Sequence, residues 1–512
     1  MVLLCHALAL NTQAAATNGP VRQMSLNDCI RMALERNLSI MVGDNIQLGD
    51  TADLDVRTGG KLGLQQTRLD LEALYGYYDP RLEVRGGQSY RKAAGTVDVI
   101  TGLPSNPGER WNEVFETTLT GVLPTGTRYE LSAGMERTSS GANDPVLLTH
   151  AFQYLSSANI SVIQPLLKDF WIDSDRLNIK LAKISIRRSE MGFKLLVMNV
   201  VNQVAGAYFD FLGARDEIKV QEKALELANQ LVAENKKKVE AGSIAPLEAR
   251  QSESQAATAK ADLTAAIFAS QQAENLLKAL ITHEFNVIQP VNIEPTEKLV
   301  AVFQALSLAE SWRTGLEQRP DYLLAKQDLE NRDIALSFYK NQLYPALDLE
   351  ATYGRNGLGN SISDSLESID NNNLPRFGGF VVLRVPLARK TDRANYKNAK
   401  IAQQGAILSL KRKEDSVLQE IDIAIKEVAS RYATIESTRQ ARIYAEEALD
   451  AEQKKLENGK STSFNVLQFQ RDLTTAASAE IKALADYNKA LHQFYFREGT
   501  TLERNKITLE LR

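Results

Sequence analysis

The chain has 512 residues, 44% of them apolar and 24% charged, with a formal net charge of −4. That balance excludes a basic nucleic-acid binder and a highly charged disordered chain. No uninterrupted run of about 18 apolar residues occurs, so no transmembrane helix is expected; the long uncharged stretch 145–167 carries two prolines and many polar side chains.

Residues 1–16 open with VLLCHALAL (2–10) and TQAAA (12–16), an apolar leader with a small-residue cleavage site. This reads as a signal peptide, although the usual basic start is missing. Its removal leaves Cys29 as the one cysteine and excludes an internal disulfide. SLNDCIRMALERNLSI (25–40) then predicts a helix, with Ser25 and Asp28 as an approximate capping box. Gly59, Gly60 and Gly63 mark an insertion before Pro80. Beyond it lie four alternating stretches: PRLEVRGGQSY (80–90), FETTLTGVL (115–123), TRYELSAGMERT (127–138) and NISVIQPLL (159–167). Period-two alternation with β-branched and aromatic residues is the mark of strands, and LPTGT (123–127) reads as a hairpin turn.

DRLNIKLAK (175–183) recurs as DRANYKNAK (392–400), with six of nine residues identical at an offset of 217. The same offset relates Gly242 to Gly459, with no net insertion between. A second echo, at offset 282, links SLNDCIRMALERNLSI to SLAESWRTGLEQRPDY (307–322), where Glu310 stands in for Asp28. Two structural repeats are therefore expected, 17–298 and 299–512. The segments of 66 residues before each glycine lack proline and are rich in Ala, Leu, Lys, Glu and Gln, so each predicts one helix of about 100 Å. Leu225, Ala228, Val232, Asn235 and Val239 step by 3 and 4, a coiled-coil seam. Gly242 and Gly459 occupy the place of glycines that end helices, and Pro246 starts the next helix. The returning arms are alanine-rich, which suits either high helix propensity alone or helices wedged between neighbours on two sides. In the second half, YPALDLEATYG (344–354) and GFVVLRVPL (379–387) predict two strands around a polar loop at 354–377. From Pro80 to Asp175 there are 95 residues, against 47 from Pro345 to Asp392, which leaves room for one extra hairpin in the first half.

Catalytic patterns are missing. His6, His150, His283 and His492 lack metal-ligand spacing, and GKSTS (459–463) has Lys454 where a phosphate-binding loop needs its first glycine. No enzyme activity, cofactor, metal or nucleic acid is expected.

The order helix, strands, long helix, glycine tip, long helix, written twice with Pro165-Leu166 and Pro386-Leu387 ahead of the long helices, resembles the TolC-like outer-membrane efflux protein family. The likeness runs from Ser25 to about Gly499. It implies a mainly α fold with a β portion, which as a homotrimer closes a transmembrane β-barrel in outer-membrane lipid. The barrel would continue as a long periplasmic α-helical barrel. The implied function is a passive exit duct for tripartite efflux or type I secretion, docking a periplasmic adaptor and an inner-membrane pump. The tips Gly242, Ser243, Ile244, Leu247, Gly459, Ser461 and Phe464 become the expected docking points. Family members carry aspartates six and nine residues beyond the second tip glycine, at a periplasmic constriction; here those positions are Asn465 and Gln468, with Glu248 at the six-residue step in the first half. The family's usual protomer contributes four strands, whereas six are expected here. A periplasmic adaptor or soluble coiled-coil scaffold is the alternative; an adaptor usually has one helical hairpin per chain rather than two, and a scaffold leaves the strands unexplained.

Overall fold

The computed structural model describes residues 20–45, 57–93, 102, 108–140, 151–242, 244–371 and 375–509. The expected leader, Cys5, His6, His150 and Ser243 lie outside them. The chain forms two compact units, each drawing on both sequence halves: one takes 189–325, 411–512 and the segment up to Leu64, the other 65–188 and 326–410.

The second unit is built on one antiparallel sheet of six strands, in the order Pro375–Arg384, Ala346–Gly359, Ala151–Pro165, Arg128–Ser140, Gly108–Val122 and Arg81–Ala93. All six expected strands join it, so the additional hairpin is part of the same sheet. Alternation sets its two faces. One row of paired residues reads Leu82, Leu119, Leu131, Ile160, Tyr353 and Phe377 from edge to edge. The next row, on the opposite face, reads Glu83, Thr118, Ser132, Asn159, Gly354 and Arg376. The expected turn at 123–127 closes by Gly126 N–H donating to the Leu123 carbonyl at 2.8 Å, with Gly126 at φ 83.

The polar loop expected at 354–377 is a correction. The strand continues to Gly359, and Ile362–Asn371 is a helix. Its start is capped by Ser361 Oγ, which accepts from Asp364 N–H at 3.1 Å. It lies on the apolar face of the sheet because glycine clears the way: a Cβ at Gly357 would sit 2.0 Å from the Ser365 carbonyl oxygen. Ser156 Oγ, fully buried, donates to that carbonyl at 2.7 Å. The serines that look loop-forming in the sequence are the contact surface of a helix.

In its first copy the DR motif has a local cause in this unit. Arg176, in the first turn of the helix Ser174–Glu240, folds back so that Nη1 donates to the Phe170 carbonyl at 2.8 Å while Nε meets Asp173 at 2.9 Å. Asp169 precedes it at φ 63, its N–H held by Asn341 Oδ1 at 2.9 Å.

The first unit is helical. Phe193, Leu196, Met198, Val201, Val204 and Tyr208 of the helix Ser174–Glu240 form the heart of its core. The helix Ser174–Glu240 holds a window apolar enough by composition to cross a membrane, but about two thirds of that window is buried inside the protein, as in a core helix. Its apolar surface already has a partner. The seam residues Ala228 and Asn235 are buried, and Leu225, Val232 and Val239 half-buried. The returning helix Pro246–Ile281 begins with Pro246 in its first turn, as expected. Ser25 and Asp28 form the full capping box, whereas Ser307 makes no side-chain cap to the helix Leu308–Gln318. The second box is thus corrected: Glu310 is present, but the Ser307 hydroxyl caps no backbone N–H. Within the glycine-marked insertion, Gly43–Asn45 pairs with Arg57–Gly59, and Gly60 lets the chain pass the Ile40 carbonyl.

A buried ion cluster joins three helices. Arg319 and Asp321 are 4% and 3% exposed, and Lys413 meets Asp321 at 2.7 Å. Arg319 Nη2 reaches Asp321 at 2.8 Å and Glu420 at 2.9 Å, while Nη1 donates to the Arg497 carbonyl at 3.1 Å. Burial pushes the Asp321 carboxyl up, but the attraction of Arg319 and Lys413 outweighs it and holds the group well below its ordinary 3.8. A depressed carboxylate stabilises the fold above its unfolded value, and that contribution is lost as pH falls through the folded one. Removing one member of a buried pair costs about 3–5 kcal/mol. Asp321→Asn should therefore lower the melting temperature strongly at pH 7. The gap to wild type should narrow below about pH 4, as read by circular dichroism melts across a pH series.

Candidate functional site at the helical tips

The helices Ser174–Glu240 and Lys390–Glu457 each end two residues before a glycine in the left-handed region, Gly242 at φ 72 and Gly459 at φ 70. Gly242 N–H donates to the Val239 carbonyl at 2.9 Å and Gly459 N–H to the Leu456 carbonyl at 3.1 Å. At the second tip Lys460 N–H also reaches the Lys455 carbonyl at 2.8 Å, completing the six-to-one bond of a Schellman ending. No other atom lies within 4 Å of a Cβ added at either glycine, so backbone conformation alone requires glycine there.

The return helices start at equivalent places, Pro246 and Ser463. Leu247 and Phe464, separated by the same 217 positions, both point into solvent, 67% and 60% exposed. Ile244 and Ser461 are half-buried behind them. Beneath the tips Leu231, Leu449, Val466 and Leu467 form a small core of their own.

The second tip is tied together by Glu452. Its carboxylate accepts from Ser461 Oγ and from Lys455 Nζ at 2.9 Å. The Ser461 hydroxyl and the Lys455 ammonium together hold Glu452 below the usual carboxylate range. Asn465 Nδ2 donates to Ser461 Oγ at 3.3 Å, so Asn465 belongs to this small network while remaining exposed. Gln468 is also exposed and donates to Asp472 at 3.2 Å. Glu248 is half-exposed on the first return helix. Asn465, Gln468 and Asp472 therefore share one helical stripe.

Three further residues take part, none of which the sequence assigns to the tip network. Glu452 sits in no motif. Asp472 lies one turn beyond the two amides, and the 3–4 spacing was the available signal. Asn235 stood in the apolar seam, yet it is fully buried and its Oδ1 accepts from Ser463 Oγ at 2.9 Å. That bond fastens the start of the second return helix to the first outgoing helix.

The sequence matches the outer membrane efflux protein family over residues 130–283 and 313–499. It is 22% identical over 363 residues to the outer membrane protein TolC of Vibrio cholerae, covering 69% of this chain and 78% of that protein. Among solved structures it is similar to the Campylobacter jejuni CmeC outer membrane channel, with a TM-score of 0.63 at 14% identity over 95% of this chain and 90% of that one. It is likewise similar to the outer membrane protein VceC from Vibrio cholerae, with a TM-score of 0.62 at 16% identity over 93% and 96%.

A β-branched residue forced into the left-handed region costs about 1–2 kcal/mol. Gly459→Val should raise amide hydrogen exchange between Glu452 and Phe464 several-fold. The helical core around Tyr208 should keep its protection.

Proposed function

Because the chain belongs to the outer membrane efflux protein family, whose members reside in the outer membrane with a helical periplasmic extension, we propose that it is the exit duct of a tripartite efflux or type I secretion system. Three copies form the duct, and a periplasmic adaptor docks on the helical tips to link it to an inner-membrane pump. The observation that carries this reading is the pair of tips. Two glycine-ended helices, each followed by an exposed apolar knob at an equivalent position, present matched docking points, Leu247 and Phe464. An apolar side chain at a free end, surrounded by polar neighbours, is suited to a partner pocket.

The two-faced sheet supports a membrane role over a soluble scaffold. Leu82, Tyr353 and Phe377 of its apolar row are exposed, while the helix Ile362–Asn371 covers part of that face, around Gly357. The row on the opposite face, from Glu83 to Arg376, is polar. A sheet of this kind spans a membrane with its apolar face to lipid and its polar face to a water-filled lumen. The alanine-rich return helix Pro246–Ile281 also leaves Ala257, Ala261, Ala265 and Ala269 exposed, with Phe268 and Leu276 beside them. That second face fits a neighbouring copy in a ring of helices. Domain-wise, 17–298 and 299–512 act as two quasi-equivalent halves behind a leader at 1–16. The duct is passive.

At the periplasmic end, Asn465 and Gln468 place neutral amides where family relatives are expected to carry carboxylates, with Asp472 a turn further along. Rings of like charge impose charge selectivity on a pore, and neutral amides do so weakly. The entrance is held shut by hydrogen bonds rather than by a carboxylate ring.

Two measurements test this reading. The protein should sediment with outer membranes as a trimer, resist carbonate extraction, and lose export and adaptor cross-linking in Gly459→Val; release by carbonate or intact export would defeat it. In planar bilayers the wild type should be weakly cation-selective and insensitive to multivalent cations. Asn465→Asp should gain selectivity and block.

A further inference from the structure

The sheet has two free edges. Arg81–Ala93 pairs only with Gly108–Val122, and Pro375–Arg384 only with Ala346–Gly359, among the described residues. These edge strands are 13 and 10 residues long, enough to cross a bilayer core at the usual tilt. Soluble proteins protect an edge with short strands, charges or an inward-pointing lysine. Here the edge Pro375–Arg384 is bare and largely apolar, with Phe377 81% exposed, Val381 68% and Leu383 59%. The longer edge Arg81–Ala93 mixes exposed Leu82, Val84 and Tyr90 with the charges Arg81, Glu83, Arg85, Arg91 and Lys92. Proline, which would block pairing, appears only at the first position of Pro375–Arg384.

In hydrocarbon the N–H and C=O groups along such an edge cannot stay unpaired. Six strands are also too few to close on themselves, since the smallest membrane barrels have eight. The edges must therefore be met by other strands, and the sheet specifies which. Its six strands alternate in direction, so its two edges run opposite ways. One copy's first edge can continue the antiparallel ladder of the next copy's last edge without a break. The row from Leu82 to Phe377 keeps its apolar side on one face at both edges, so sidedness is kept across the seam.

Resting on the reading of the chain as a trimeric outer-membrane duct, we propose that the partner of each edge is a second copy of this chain. Three copies of six strands close a barrel of 18 strands, not the 12 that four-stranded protomers would supply. The extra hairpin of the first half widens the wall rather than sitting outside it. Barrel diameter grows about linearly with strand number, and barrels of about 16–18 strands hold an aqueous channel. The lumen wall alternates sign, with Glu83, Arg376, Arg81 and Glu130 on the polar face, so it sets no strong charge preference. The barrel passes cargo about half again as wide as a 12-stranded one would, and the narrow point lies elsewhere in the duct.

Single-particle imaging of the full-length trimer in lipid nanodiscs counts the strands directly. A closed ring of 18, with Arg81–Ala93 of one copy beside Pro375–Arg384 of the next, is the expected result. A panel of paired cysteines at Glu83 or Arg85 with Phe380 or Val382 should give trimeric cross-links under mild oxidation. An outer-membrane trimer with a 12-stranded ring and one hairpin folded outside it would overturn this inference and leave the channel reading intact. A protein that is monomeric or absent from the outer membrane would overturn both.

Discussion

A peptide group taken out of water must find a hydrogen-bond partner, and every large feature of this protein answers that demand in one of two ways. The helices satisfy it internally, residue by residue, over 67 and 68 residues in the outgoing pair. The sheet satisfies it between strands, five ladders deep, and among the described residues it stops with two open sides. Helices can therefore end in solvent, at tips, with only a few orphan carbonyls to settle. The sheet has no such ending of its own, and its two outer strands keep backbone groups that no neighbouring strand among the described residues pairs.

The tips show how a helix stops where nothing packs against it. Glycine in the left-handed region turns the last carbonyls onto the next amides, and a six-to-one bond at Lys460 finishes the job at the second tip. The return helix there is fixed as well, because side-chain hydrogen bonds among Asn235, Ser463, Glu452 and Ser461 pin its start. Phe464 is thus held in place while remaining exposed. A rigid pedestal under an exposed apolar knob reduces the ordering entropy lost on binding.

Elsewhere in the helical unit the problem is the reverse, too many helix ends in one place. The cluster of Arg319, Asp321, Lys413 and Glu420 gathers the junction after Leu308–Gln318, the middle of Lys390–Glu457 and the end of Ser463–Glu498. A network of this kind specifies one arrangement of the junction, because any shift strands a charge in a poorly solvated site. Gly499, at φ 89, lets the chain turn beside the Arg319 backbone and, with Gly242 and Gly459, ends a helix in the left-handed region.

Periodicity and punctuation were legible in the sequence itself. The 3–4 seam through Asn235, the glycines at 242 and 459, Pro246 and the six alternating strands are local properties, set by side-chain geometry over a few residues, and the fold keeps them. The offset of 217 exposed the equivalence of the tips without any contact being known. What the sequence did not disclose depends on partners distant along the chain. The helix Ile362–Asn371 reads as a loop because its serines and acids suit either state; Gly357, and the face of the strand that carries it, decide for a helix. Ser307 resembles Ser25, but only one of them forms its cap. Asp321 and Lys413 are 92 positions apart and look like ordinary surface charges until packing buries both. Strand count could be read from alternation; membership of a single sheet, with two edges left open, required the pairing of residues hundreds of positions apart.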